Sequence, residues 1–238
     1  MVLLRPGLYK MITDKKVIAD IVQWDIENWG QCIPFWDDVL SQKKNMLCLE
    51  LGARNGGLSL LAALYGHHCV CSDIEDPMPI ALPHHKKYQV ENLITYKTID
   101  IADIPYKNTF DVVLIKSVLP TMVTFDKAKM QPRAVDEIYN CLKPGGYFLF
   151  AENLEASPLH HFARKKFVSW AGKTRYLRLE ELPAMLNKFS NIELKTSGFS
   201  GAFGRNETQR HLLAKTDRFT EKIIPDKWKY LVFGKARK

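Results

Sequence analysis

The chain has 238 residues, 46% hydrophobic and 25% charged, which suits one globular domain with embellishments and excludes a disordered or low-complexity chain. Its formal net charge of +8 is uneven: residues 159–238 hold 18 Lys/Arg against 7 Asp/Glu, and residues 1–158 hold 16 against 19. A basic C-terminal portion suits an anionic substrate, a membrane surface or a nucleic acid, and no apolar run approaches the roughly 20 residues that cross a bilayer.

"MVLLRPGLYK" has neither the apolar length nor the small-residue site of a secretory signal, so a cytoplasmic location is expected. The first 45 residues read as mainly helical. "DKKVIADIVQWDIENWGQCIPFWDDVLSQKKN" spaces Ile18, Ile21, Val22 and Ile26 as a helix does, and Pro34 should break or restart it. Trp24, Trp29 and Trp36 read as core, and Trp24 and Trp29 also suit a lid. Residues 1–45 are therefore expected to form a helical cap, and residues 46–238 the main domain.

An alternation then begins. "NMLCLEL" reads as a strand, and "GLSLLAALYG" as a helix closed by Gly66. "CVCSDI" reads as a second strand. "PMPIALPHHKKYQVEN" is irregular or a short helix. "ITYKTIDI" reads as a third strand ending at Asp100–Ile101, and "TFDVVLIKSVL" as a fourth, buried on both faces. "FDKAKMQPRAVDEIYNCLK" reads as a helix broken near Pro132, and "PGGYFLFAENL" as a turn and fifth strand. "SPLHHFARKKFVSWAG" and part of "YLRLEELPAMLNKFS" read as helices. "NIELKTSGFSG" is a strand entering a glycine-rich loop. "NETQRHLLAKTDRFTEKI" is a helix N-capped by Asn206, inserted near residues 203–226, and "KWKYLVFGKARK" is the last strand. Strands alternating with helices imply a parallel sheet covered on both faces.

The five cysteines, an odd number in a chain expected to lack a leader, do not suggest a disulfide framework. Cys69 and Cys71 share one strand face and read as small core residues. No second pair stands at zinc-ligand spacing, so no metal is expected; the pairs His67–His68 and His84–His85 lie in loop-like sequence.

The stretch "MLCLELGARNGG" delivers an acid, Glu50, and then small residues between a strand and a helix. This is the nucleotide-site plan of open α/β sheets. A dinucleotide site wants G-x-G-x-x-G, and Arg54 would occupy the glycine that must admit a pyrophosphate. The acid-x-Gly-x-x-x-Gly pattern of Glu50, Gly52 and Gly56 resembles instead the first motif of the class I S-adenosylmethionine (SAM)-dependent methyltransferases. There too Arg54 replaces a glycine, but SAM carries no phosphates. Asp73 follows 17 residues after Gly56, Asp100 follows in "YKTIDIADIPY", and "TFDVVLIKSVLP" and "CLKPGGYFLFAEN" resemble the fourth- and fifth-strand motifs.

The resemblance covers residues 46–153. It implies a Rossmann-like three-layer α/β/α sandwich, with a mostly parallel seven-stranded sheet and an antiparallel last strand. It implies SAM as cofactor, S-adenosylhomocysteine as product, and a cofactor site of Glu50, Gly52, Ala53, Arg54, Gly56, Asp73, Ile74, Asp100, Ile101 and Lys116. Asp73 would accept from the ribose hydroxyls, Ile74 would pack on the adenine, and Asp100 would accept from its amine.

Acceptor chemistry needs alignment and a path for a proton. The ends of the fourth and fifth strands nominate Lys116, Glu152 and Asn153, and the next helix nominates His160 and His161. "KSVL" stands where amino-methylating relatives often carry Asn-Pro-Pro-aromatic, and no cytosine-type cysteine nucleophile is present. The expected acceptor is a small molecule, an anionic one among the options: O-methylation of a sugar or lipid-linked saccharide leads, helped by Arg164, Lys165, Lys166, Arg205 and Arg210. The alternatives are an RNA methyltransferase and a non-enzymatic SAM-binding protein. The sequence does not indicate an oligomeric state.

Overall fold

The computed structural model describes residues 12–121, 127–167 and 174–238, without the side chains of residues 127–129 and 218. Seven strands form one sheet: β1 Leu47–Leu51, β2 His68–Asp73, β3 Ile94–Thr98, β4 Phe110–Lys116, β5 Leu142–Asn153, β6 Ser190–Ser197 and β7 Leu231–Arg237. Their order is β3-β2-β1-β4-β5-β7-β6. The first five strands run parallel, and β7 lies antiparallel between β5 and β6. The expected three-layer architecture with its antiparallel last strand is therefore observed. The chain leaves β1 toward one edge and resumes at β4 on its other side, which opens a crevice at the carboxyl ends of these two strands.

Alternate strand residues feed two cores. Cys48, Cys69, Cys71, Val112, Leu114 and Leu149 face helices α1 (Lys15–Val22), α2 (Ile26–Trp29), α3 (Cys32–Leu40), α4 (Gly57–Leu64) and α5 (Met78–Lys87). Leu49, Leu51, Val113, Ile115, Phe148 and Phe150 face α6 (Lys127–Cys141) and α8 (Leu182–Met185). The remaining helices are α7 (Pro158–Phe167) and α9 (Glu207–Thr220). All five cysteines are buried free thiols. Trp29 and Trp36 are buried in the first core, where the Trp36 indole donates to the Gly234 carbonyl at 3.2 Å.

Local signals set most boundaries. Asn206 caps α9 by accepting from the Gln209 amide, and Gly66 closes α4 at φ +84°. Pro34 sits in the first turn of α3 and restarts the helix. Residues 78–87 form the short helix, one of the two alternatives expected there, with Pro83 inside it. Three expectations differ. The helix α6 runs unbroken through Pro132; the missing N–H deprives one carbonyl near the helix start, and burial of Ala134, Val135 and Ile138 holds the face. Strand β3 ends at Thr98, so Asp100 lies in the turn beyond it. The PGG turn is absorbed into β5 as a register irregularity against β4. "MVLLRPGLYK" and residues 168–172 of the expected long helix lie outside the described residues.

Candidate functional site

A cavity of about 700 Å³ opens at the carboxyl ends of β1, β2 and β4, within the range of about 300–1,000 Å³ common to small-molecule sites. Gly52, Arg54, Asp73, Ile74, Asp100, Ile101 and Lys116 line it. The same wall includes Gln23 and Trp24 from the N-terminal segment, Ile80, Ser117, Val118, Thr121 and Met130.

Arg54 adopts φ +51°, the left-handed region that glycine enters freely. Its amide donates to one Asp73 oxygen at 2.8 Å, while the Ile74 amide donates to the other at 2.7 Å. Asp73 thus joins the loop after β1 to the end of β2 and still carries free lone pairs. One Asp100 oxygen accepts from the Ala102 amide at 2.8 Å. Ile74 is apolar yet exposed, as a platform for a flat apolar ligand would be.

Gly52, at φ +68°, has a second constraint. A Cβ there would stand 2.5 Å from a Val118 methyl. Val118 is in turn fixed by Glu152, whose Oε1 accepts from the Val118 and Leu119 amides at 3.0 and 3.1 Å. Glu152 is fully buried, and its Oε2 has no hydrogen-bond partner among the described residues. Burial raises its pKa to about 8, against the lowering effect of those two amides. Ser117 carries φ +58° between these residues and β4. Its hydroxyl accepts from the Asn153 side chain at 2.8 Å.

Lys116 ends β4 with its ammonium 4.6 Å from the centre of a Trp29 ring, within cation–π range. Burial lowers its pKa to about 8, against the raising effect of Cys32, Glu152 and Glu50.

Other sequence-nominated residues lie elsewhere. Glu50 is buried beneath the loop, where it accepts from the Leu58 and Ser59 amides at 3.0 and 2.7 Å and from the Ser59 hydroxyl at 2.5 Å. It thereby satisfies the orphan donors that open α4, and burial raises its pKa to about 7. Ala53 is buried beside it. Gly56, at φ +74°, makes room for His85: a Cβ would stand 2.5 Å from its ring, which meets the Gly56 carbonyl at 2.9 Å and the Tyr96 hydroxyl at 2.7 Å. Neither Glu50, Ala53 nor Gly56 lines the cavity.

His160 is buried, with its ring nitrogens 2.7 Å from the Ser157 hydroxyl and 2.8 Å from the Phe199 carbonyl. Burial lowers its pKa to about 4, so it is a neutral internal brace. His161 lines a separate cavity with Arg164 and Lys165. Among the described residues no group of His, Cys, Asp and Glu is arranged to hold a metal ion.

Of the cavity residues the sequence did not single out, Ser117 and Val118 follow directly from the rule that ligands sit beyond strand ends. Gln23 carried no local signal. Its position depends on α1 packing over α4, so closely that a Cβ on Gly57 would stand 2.0 Å from the Ile21 carbonyl.

Residues 49–150 match a family model described as a methyltransferase domain. The fold is similar to that of a Haemonchus contortus phosphoethanolamine N-methyltransferase 2. The structure of that protein with phosphomonomethylethanolamine and S-adenosylhomocysteine has 19% identity and TM-score 0.62, over 88% of this chain and 52% of that one. Its structure with S-adenosyl-L-methionine has 18% identity and TM-score 0.62, over 100% and 60%. The chain thus spans between half and three fifths of that protein's length. The cyclase SpnF is also similar, with 18% identity and TM-score 0.59 over 88% and 82%. Comparison with curated protein sequences finds no match.

Proposed function

We propose, on the premise that residues 49–150 are a methyltransferase domain of the class I, SAM-dependent type, that this protein methylates a small anionic molecule, a saccharide hydroxyl being the leading acceptor. One observation carries the reading: a single cavity collects two carboxylates, Asp73 and Asp100, with the cation Lys116 and the apolar side chains Ile74 and Ile101.

These residues fit SAM. Asp73 is suited to accept from the ribose hydroxyls, and Asp100 from the adenine amine. Ile74 and Ile101 offer apolar contact to the base. When bound, SAM supplies an electrophilic methyl group on a sulfonium.

The chain's own contribution is placement and charge. Glu152 holds Val118 against Gly52 and so fixes the cavity floor. Gln23 and Trp24 line the cavity from the N-terminal segment, where they are suited to limit water around a bound ligand. Lys116, with a pKa near 8, is mostly charged at neutral pH and is suited to hold an anionic group of the acceptor. Phosphomonomethylethanolamine, bound by the Haemonchus protein, is a phosphorylated small molecule, in keeping with an anionic acceptor.

Titration calorimetry with SAM, S-adenosylhomocysteine and NAD is the first test. Binding of NAD and not of SAM overturns the reading. Release of S-adenosylhomocysteine in the presence of anionic sugars, amines or an RNA oligomer then identifies the acceptor. Since a cyclase shares the fold, SAM binding without turnover on any acceptor would remove the methyl-transfer assignment.

A further inference from the structure

We propose that the outward faces of α7 and α9 form a docking surface for an anionic lipid bilayer. Both helices brace the same segment, the Ser200–Phe203 turn and its N-cap Phe199. From α7 the His160 ring meets the Phe199 carbonyl at 2.8 Å. From α9 Asp217 accepts from the Ser200 and Gly201 amides at 2.7 and 3.0 Å.

The helix α7 reverses the usual polarity of a surface helix. Its inward residues are His160 and Arg164, whose guanidinium donates to the Leu154 and Glu155 carbonyls at 2.9 and 2.8 Å. Leu159, Phe162 and Phe167 are left outside. On α9, Ala214 and Asp217 are buried. Leu212, Phe219 and, in the turn beyond, Ile223 recur at helical spacing and fall on one stripe. These six apolar side chains are between 54% and 84% exposed. Single exposed apolar residues need no explanation, whereas grouped ones mark an interaction surface.

Charge selects the partner. Lys165, Lys166, Lys215 and Lys222 stand exposed on the same two segments. The Lys166 ammonium lies 5.9 Å from the centre of the Phe162 ring and 5.5 Å from that of Phe167. A lysine so placed can keep its charge at the level of lipid phosphates while the rings enter the acyl boundary. Beside α7, the cavity of about 570 Å³ adds His161, Arg164, Arg175 and Arg178. Its acids Glu155 and Glu181 are engaged by Arg178 and Arg175 at 2.6 and 2.7 Å, so a positive surplus remains. Among the described residues no helix is long and apolar enough to cross a membrane, which fits a surface contact. A nucleic acid would use the lysines and leave the phenylalanines idle. A second copy would set like charge against like.

Co-sedimentation of the full chain with vesicles tests this, and it needs no knowledge of the cofactor or acceptor. Vesicles of phosphatidylglycerol and phosphatidylcholine in equal parts should retain the protein, and vesicles of phosphatidylcholine alone should not. Binding should fall as salt rises. Phe162→Ser and Phe219→Ser should each lower the partition coefficient by about tenfold. Both sites are exposed, and unchanged melting temperatures would show that the fold is kept. Equal binding to neutral vesicles, no binding to anionic ones at low salt, or full binding by the double variant would overturn the proposal. So would a dimer, or tight RNA binding, that is lost with Phe219→Ser.

Discussion

The Arg54 amide donates to the Asp73 carboxylate at 2.8 Å, and this bond ties the loop after β1 to the end of β2. Asp73 is therefore a loop tether, and under the proposed function it is also a ligand acceptor. Asp73→Ala should weaken SAM binding by about 1–3 kcal/mol and also lower the melting temperature, because two amides lose their partner. Calorimetry and thermal melts read the two effects separately. Unchanged affinity would remove Asp73 from the site.

The backbone of Arg54 makes a second prediction. A left-handed residue with a Cβ costs about 1–2 kcal/mol, and glycine loses about 0.5–1 kcal/mol of that advantage to chain entropy. Arg54→Gly should thus leave stability unchanged or raise it by up to about 1 kcal/mol in urea denaturation. A loss of stability would show that the Arg54 side chain, rather than the bond of its amide, holds the loop.

Glu152 sets a pH dependence of folding. Its pKa rises to about 8 in the folded protein from an ordinary 4.5. The folded state then holds the extra proton between these values, so stability falls as pH rises from about 4.5 through 8. Glu152→Gln keeps an oxygen for the Val118 and Leu119 amides and cannot ionise. It should match the parent near pH 5 and exceed it by on the order of 3 kcal/mol at pH 9. Parallel stability–pH curves would refute the assignment.

Lys116 carries the opposite sign. Its pKa falls to about 8 from 10.5, so the folded state holds fewer protons between these values and gains stability as pH rises through them. Capture of an anionic acceptor should weaken over the same rise, with kcat/KM falling above about pH 8. Lys116→Arg, charged at every working pH, should remove that fall. A profile that instead climbs above pH 8 in the parent and is flat in the variant would assign Lys116 to proton removal.

The sheet was legible because its signals are local: apolar strands, a glycine after α4, an asparagine before α9. The acids and cation of the cavity were legible for a related reason. Asp73 and Lys116 end their strands, and Asp100 lies two residues past Thr98, so chain order alone places them at one edge. Glu50 and Gly56 follow a different logic. Both occur in the expected pattern, yet the acid caps α4 and the glycine admits His85, a residue 29 positions away. Gln23 reaches the cavity only through the packing of α1. His160 has a sequence context suited to catalysis, and burial among Phe199, Phe203 and Tyr230 makes it a brace. Spacing reports which residues share an edge; it does not report which of them tertiary packing consumes.

The Ile21 carbonyl occupies the space that a side chain at residue 57 would need. The N-terminal helices are therefore not an interchangeable accessory. Recombining this sheet with a foreign N-terminal segment, as one would to redirect acceptor choice, requires carrying residues 52–57 along with it. A side chain at residue 57 would have to be matched by a shift of the backbone at residue 21.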